Sequence, residues 1–383
     1  MKRFDCFKAL SSKLSDELVV ANLANTSNEW RAVRPHEGNL YMVGLGMVTP
    51  YALGLALALP NHKVIAIDGD GGTLFDLSVY GVMAKYAPDN LCVIILDNKG
   101  YVSTGKWASV PTLSAHKLDL EKVIRGTGID NVNTVRTIDE MMAAFDEWDN
   151  TPEPSVIIAE TDESQAFVGV PNMDGKENKY RFVRYIEQLE GKKILRPSGR
   201  EHGAPPIADP DSRKVSEEDD FATVVYEGLK ENGIDFVIGL PCSGLAKAQA
   251  LCMEDPKMQY IGVAHEGTGY GISAGAWLGG KKPAALVENY GLYAGAYHLM
   301  RGHYHFGIPL LLVGEYRGDA GDTEFWSKAG ESTEDFLKAL RINHRVVREL
   351  KDLKPAIRDG LRWLNFGLSP YAILPSFNLS RPK

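Results

Sequence analysis

The chain has 383 residues, 44% of them hydrophobic, with 42 Lys and Arg against 50 Asp and Glu and a formal net charge of −8. That length accommodates two ordinary domains, and the acidic balance argues against nucleic acid as a partner. No run approaches the ~18 apolar residues of a membrane span, residues 1–14 lack the apolar core of a signal peptide, and Cys6, Cys92, Cys242 and Cys252 are scattered without metal-ligand spacing. The expectation is a soluble cytoplasmic α/β protein with buried thiols.

In chain order, the pattern predicts a helix over 4–14 and a strand over 18–23. A turn at Gly44-Leu45-Gly46 then leads to a buried helix with Pro50 near its first turn. A buried strand over 64–67 is broken by Asp68-Gly69-Asp70-Gly71-Gly72, and a helix over 73–87 stops at Pro88. A second buried strand over 91–96 ends in Asp97-Asn98-Lys99-Gly100. Two strands thus deliver Asp70 and Asn98 to their carboxyl ends, where open α/β sheets bind ligands. A carboxylate, an amide oxygen and a backbone carbonyl in a glycine turn are hard oxygen ligands suited to Mg²⁺, and the glycines admit backbone N–H groups to a phosphate. The plain alternative is an acidic glycine turn that binds nothing. Gly100 to Lys106 also spells most of a phosphate loop, but Trp107 stands where the Mg-binding hydroxyl belongs, which counts against a nucleotide triphosphatase.

Helices over 119–129 and 138–148, a strand over 155–161 and a helix over 180–189 complete the first half. Residues 196–218, rich in Pro, Gly and charge without apolar periodicity, read as a linker. The second half repeats the alternation, with helices over 219–232, 245–253, 269–278 and 294–306. Strands over 236–240, 259–264, 284–287 and 309–313 lie between them, as a parallel sheet requires. Glu266 directly follows one of these strands and opens a helix with almost no side-chain bulk, so something packs closely against it; a lone Glu there is otherwise a helix N-terminal charge.

GDG, an intervening helix and strand, and an Asn 28 positions beyond Asp70 resemble the diphosphate-binding motif of thiamine-diphosphate enzymes. The resemblance implies two doubly wound parallel-sheet domains, with Asp70, Asn98 and the Gly100 carbonyl holding Mg²⁺. It places Gly69, Gly71, Gly72, Thr73 and Tyr101 about the cofactor; Gly72 stands where a small hydroxyl residue often sits, which turns attention to Thr73. Leu45 falls at the apolar wedge that bends the cofactor, and Val43 offers its carbonyl to the 4′-amino group; a register one residue away brings in Gly44 and Met47. HEGTGYGISAGAWLGGKKPAALVENYGL is similar to the pyrimidine-binding domain of thiamine-diphosphate decarboxylases, which implies that Glu266 hydrogen-bonds N1′ of the aminopyrimidine and activates the cofactor.

Residues 234–330 resemble the alpha part, and 41–105 the beta part, of the sulfopyruvate decarboxylases; the phosphonopyruvate decarboxylases share both. The implied order is a diphosphate domain (1–195), the linker (196–218) and a pyrimidine domain (219–383). The implied reaction is Mg²⁺- and thiamine-diphosphate-dependent, non-oxidative decarboxylation of a small anionic 2-oxo acid, sulfopyruvate to sulfoacetaldehyde or phosphonopyruvate to phosphonoacetaldehyde. A homodimer or tetramer with active sites between subunits is implied as well. Candidate substrate residues are Ser103, Thr104, Lys106, Cys242, Ser243, His265, Asn289 and Arg317. His298, Arg301, His303 and His305 gather nearby, His303 and His305 reading as surface residues. The family's Gln-Asn-Ser-Gly-Leu-Gly-Asn is Glu288-Asn289-Tyr290-Gly291-Leu292-Tyr293-Ala294 here. This bulkier, more acidic loop suits an uncharged or differently charged substrate tail instead; the alternative reaction is that of a carboligase or synthase using the same cofactor on a different 2-oxo acid.

Overall fold

The computed structural model describes residues 1–104, 110–170, 172–195, 215–216 and 219–380. The chain divides into two compact units, Met1–Gly191 and Lys192–Lys383; the expected linker lies almost wholly outside the described residues. The first unit holds β1 (Leu18–Asn22), β2 (Asn39–Val43), β3 (Val64–Gly69), β4 (Leu91–Asp97), β5 (Val132–Val135) and β6 (Ser155–Glu160), in the order β2-β1-β3-β4-β6-β5. The second holds β7 (Phe236–Gly239), β8 (Gln259–Gly262), β9 (Pro283–Glu288), β10 (Leu311–Glu315), β11 (Asn343–Val347) and β12 (Tyr371–Pro375), in the order β11-β12-β10-β9-β7-β8. Every pairing in both sheets is parallel. Counted from its own first strand, each sheet reads 2-1-3-4-6-5, so one doubly wound topology is used twice.

Apolar content explains the sheets. β4 is buried along its whole length, as strands of a parallel sheet covered on both faces are. The register of β3 on β4 pairs Asp68 with Ile95 and Gly69 with Leu96, so Asp70 and Asp97 leave the sheet side by side.

The expected helix over 73–87 is two helices, Asp70–Phe75 and Ser78–Tyr86. Asp76 breaks it: its backbone leaves the helical region, and its carboxylate accepts a hydrogen bond from Ser78 Oγ at 2.7 Å. Gly71 and Gly72 are therefore helical rather than loop residues. The expected helix over 294–306 also differs, being a helix over Asn289–Ala294 and a π-helical stretch over His298–Tyr304. β2, β5, β11 and β12, with the helices Asn25–Val33, Ser327–Ala339 and Leu353–Gly367, were not anticipated from periodicity. Among the described residues, no helix is long and apolar enough to cross a membrane, and all four cysteines are free thiols.

His303, expected at the surface, is fully buried; His305 is exposed as expected. The wider π-helical turn carries the His303 ring inward, where Nδ1 lies 3.1 Å from the Ile308 carbonyl and Nε2 2.9 Å from the Tyr270 carbonyl. Burial pushes its pKa down to about 4, against the opposing pull of those two carbonyls. A histidine held neutral contributes stability that is complete above its ordinary value near 6.5 and is lost as the pH falls toward about 4. Urea unfolding across that window will therefore show a loss of roughly 3 kcal/mol from this residue, and His303→Gln will flatten the profile by that share.

Candidate active site

In the first unit, the ends of β3 and β4 carry three acidic groups into the interior. Asp68, Asp70 and Asp97 are 1%, 3% and 6% exposed. Asp68 accepts hydrogen bonds from Asn22 Nδ2 and the Gly69 N–H, both at 2.8 Å. Burial, with Asp70 and Asp76 nearby, nonetheless raises its pKa to about 7. Asp70 is raised to about 6, first by burial and further by Asp97, against the hydrogen bonds it receives. Thr112 Oγ1 lies 2.5 Å from Asp70 Oδ2, and Ser114 Oγ lies 3.1 Å from the same oxygen and 2.8 Å from Asp97 Oδ1.

The segment after β4 explains how these hydroxyls arrive. Lys99 takes a left-handed φ of 61°, and the chain turns there. Tyr101 N then donates to the Val110 carbonyl at 2.8 Å, and Thr112 N to the Lys99 carbonyl at 3.1 Å, bracketing an antiparallel bridge between Gly100 and Pro111. Because main-chain direction alternates along such a ladder, the Gly100 carbonyl faces away from the returning limb. Gly100 N donates to Asn98 Oδ1 at 3.1 Å. Asp70, Asn98 and Gly100 are thus gathered at two neighbouring strand ends. Val102–Thr104, which includes Ser103, forms a 3-10 turn with Ser103 exposed; Lys106 lies outside the described residues.

The glycines are required by side chains rather than by open space. A Cβ on Gly71 would collide with the Tyr101 ring, and one on Gly72 with the Asp68 carboxylate, whereas Gly69 has nothing nearer than 3.6 Å. The Thr73 hydroxyl is turned to Tyr80, 3.3 Å from its OH. Val43 ends β2 and is buried, and Leu45, half-buried, lies in the turn 44–47, which closes with Met47 N donating to the Gly44 carbonyl at 3.1 Å.

In the second unit, Glu266 is the first residue of the helix Glu266–Leu278, half-buried, with His265 at the cap position. Gly291 presses on it: a Cβ there would stand 2.7 Å from both Cγ and Oε1 of Glu266. Gly267 is likewise confined, 2.5 Å from His298 Nδ1 and 2.6 Å from His265 Cε1 by the same measure. Glu288 and Glu315 pair in register at the ends of β9 and β10. Glu288 is pushed up by burial and by Glu315, while Arg317 opposes the shift. Cys242, half-buried, has its thiol pushed up by burial and by Glu315, and Ser243 is exposed.

Two of the candidate substrate residues are already engaged. Arg317 pairs with Asp322 through Nε at 2.9 Å and Nη2 at 3.3 Å, and its guanidinium lies between the Trp326 and Phe377 rings, 4.2 and 3.7 Å from their centroids. Asn289 is buried and donates to the Arg317 carbonyl at 3.1 Å and to Thr333 Oγ1 at 2.8 Å. Both brace the loops after β9 and β10. Asn22, Thr112 and Ser114 were missed because nothing in their local sequence marks them, and Asp68 was read only as part of the glycine turn; their contacts come from strand adjacency.

Residues 23–159 match the family model described as thiamine pyrophosphate enzyme, C-terminal TPP binding domain. The chain is 32% identical over 192 residues to sulfopyruvate decarboxylase subunit beta of Methanocaldococcus jannaschii, covering 49% of this chain and 98% of that protein. It belongs to the thiamine-diphosphate-dependent decarboxylases. Sulfopyruvate decarboxylase subunit alpha of Methanothermobacter thermautotrophicus is 32% identical over 141 residues, 37% of this chain and 86% of that protein. Among solved structures, a transketolase from Campylobacter jejuni superposes with a TM-score of 0.67 at 14% identity, over 97% of this chain and 73% of that one, which shows the shared fold. This decarboxylase thus carries the sequence of a family C-terminal domain in its N-terminal half.

The first unit suits a metal-bound diphosphate. Its donor set is hard oxygen, and two carboxylates buried side by side carry excess negative charge that a divalent cation neutralises. Among the described residues, no three His, Cys, Asp or Glu side chains gather so as to hold a metal ion by themselves. In the second unit the Gly291 contact is the sensitive point. Gly291→Ala must displace Glu266 near its root, and steady-state kinetics will show kcat/KM lower by roughly 10²-fold.

Proposed function

We propose that this enzyme catalyses the non-oxidative decarboxylation of a small anionic 2-oxo acid using thiamine diphosphate and Mg²⁺, with sulfopyruvate or phosphonopyruvate as the substrate. The observation that carries the reading is the convergence of Asp70, Asn98 and Gly100 on the ends of β3 and β4, amid buried carboxylates whose hydrogen-bond partners among the described residues are neutral donors. Asp70, Asn98 and the Gly100 carbonyl hold Mg²⁺, and Gly69, Gly71, Gly72 and Tyr101 line the diphosphate side, with Thr73 next to them but its hydroxyl spent on Tyr80. Leu45 supports the cofactor's bent shape, and Val43 or Gly44 offers a backbone carbonyl to its amino group. Thiamine diphosphate supplies the electron sink that accepts the pair released as CO₂ leaves.

Glu266 has the proton-handling role, holding a proton against the pyrimidine ring; Gly291 fixes where that carboxyl sits. Cys242, Ser243, His265, Ser103, Thr104 and Lys106 are the residues assigned to the substrate, with Asn289 and Arg317 shaping its wall. The catalytic groups come from two units of one topology, and the sulfopyruvate relatives are named as separate alpha and beta subunits. Both support a homo-oligomer with sites shared between subunits, working in a reducing cytoplasm that suits four free thiols.

CO₂ release from sulfopyruvate, phosphonopyruvate and pyruvate, with Mg²⁺ and thiamine diphosphate present, tests the reading. One anionic substrate is expected to turn over, with Glu266→Gln lowering kcat by roughly 10²–10⁴-fold and Asp70→Ala abolishing Mg²⁺-dependent cofactor binding. Turnover of none of the three, with cofactor bound, would overturn the substrate assignment.

A further inference from the structure

The returning limb of the loop after β4 does more than close a turn. Thr112 and Ser114 are 1% and 8% exposed and stand 2.9 Å apart, with both hydroxyls on the carboxylates of the two strand ends. Proton counting fixes the arrangement. Two hydroxyls have two protons, and the shortest contacts give the Thr112 proton to Asp70 Oδ2 and the Ser114 proton to Asp97 Oδ1. Each carboxylate thereby receives one hydroxyl donor, beside the Lys99 N–H on Asp97 Oδ1 at 3.3 Å, and both hydroxyl contacts to Asp70 fall on Oδ2, leaving Oδ1 clear of them.

The limb is held at the right height by main chain. The ladder of Lys99 and Tyr101 with Val110 and Thr112 sets Thr112 over the end of β3, and the 3-10 turn Leu113–Ala115 brings Ser114 between Asp70 and Asp97. The residue next to Asp97 is Asn98, so one hydroxyl pair links the two strand ends that carry the proposed side-chain ligands.

We infer that Ser114, acting with Thr112, is a positioning residue that presets the Asp70 carboxylate for the metal-bound diphosphate and couples its orientation to the Asp97-Asn98 strand end. The inference rests on the proposed metal site. A metal-bound carboxylate whose second oxygen is fixed by a hydroxyl loses less rotational freedom on binding, and outer partners of this kind are worth roughly 10–100-fold in metal affinity. Selectivity follows too: Mg²⁺ demands near-ideal octahedral geometry, whereas Ca²⁺ tolerates looser ligands, so loosening Asp70 penalises Mg²⁺ more than Ca²⁺.

The test is calorimetric titration of the full chain with Mg²⁺ or Ca²⁺ at fixed thiamine diphosphate, independent of turnover, beside a thermal melt of the cofactor-free protein. Ser114→Ala is expected to weaken Mg²⁺ by roughly 10–100-fold and Ca²⁺ by less, with kcat recovered at saturating Mg²⁺ and cofactor. Thr112→Ser, which keeps the hydroxyl, is expected to bind as the wild type does. Thr112→Val, isosteric and lacking the hydroxyl, repeats the measurement should Ser114→Ala not fold. Mg²⁺ affinity unchanged in both hydroxyl-deletion variants, or Mg²⁺ and Ca²⁺ weakened equally together with a lowered melting temperature, would overturn the inference. Asp70→Ala separates the two levels: if it still binds Mg²⁺ and thiamine diphosphate normally, the metal site itself is wrong, whereas loss there with intact binding in Ser114→Ala and Thr112→Val condemns only the positioning role.

Discussion

The in-register pairing of β3 with β4 is the constraint on which the first unit's chemistry depends. Parallel strands that end together must deliver their next residues to the same place, and here those residues are Asp70 and Asp97-Asn98. Two buried carboxylates side by side repel, and burial disfavours Asp70 as an anion. The surrounding structure answers with hydroxyls from a limb pinned back over the strand ends and with the Asn22 amide on Asp68. These are partial answers, since a neutral donor does not cancel a charge.

The second unit solves the same problem differently at the same topological locus. Glu288 and Glu315 leave β9 and β10 in register, as the acidic residues do at the ends of β3 and β4. Here Arg317 stands within 3.9 Å of Glu315, and the Gly244 N–H donates to it at 3.1 Å. Arg317 is held in turn by Asp322 and by two aromatic rings, so one guanidinium offsets part of the charge of this acidic group. One 2-1-3-4-6-5 sheet thus ends in carboxylates met by neutral donors, and the other in carboxylates that share one arginine. Glu266 lies away from this pair in sheet order, after β8, where a helix of small residues and the Gly291 contact decide its placement.

The loop that departs from the family pattern becomes intelligible in this setting. Tyr290 is 45% exposed and packs on Tyr293 and Trp326, with ring centroids 5.8 and 5.7 Å away. Asn289 is spent inside, and Gly291 retains the close approach to Glu266. The loop thus carries an exposed aromatic cluster and keeps a glycine at the point where Glu266 comes closest.

The sequence by itself determined the class of fold, the alternation of strands and helices, and the residues at the ends of β3, β4 and β8. Those signals are local: apolar runs, glycine turns and an Asp-to-Asn spacing. It also carried a resemblance sufficient to name the cofactor chemistry. Tertiary structure alone decided what those ends touch. Thr112, Ser114 and Asn22 reach the carboxylates from segments distant in the chain or across the sheet, so no periodicity announces them. The split of the helix at Asp76 and the burial of His303 depend on a hydrogen bond and on a π-helical turn that propensity does not register. Short edge strands such as β5, with only four residues, carry too little pattern to stand out. Local chemistry is written in order along a chain; the neighbours that tune it are chosen by the sheet.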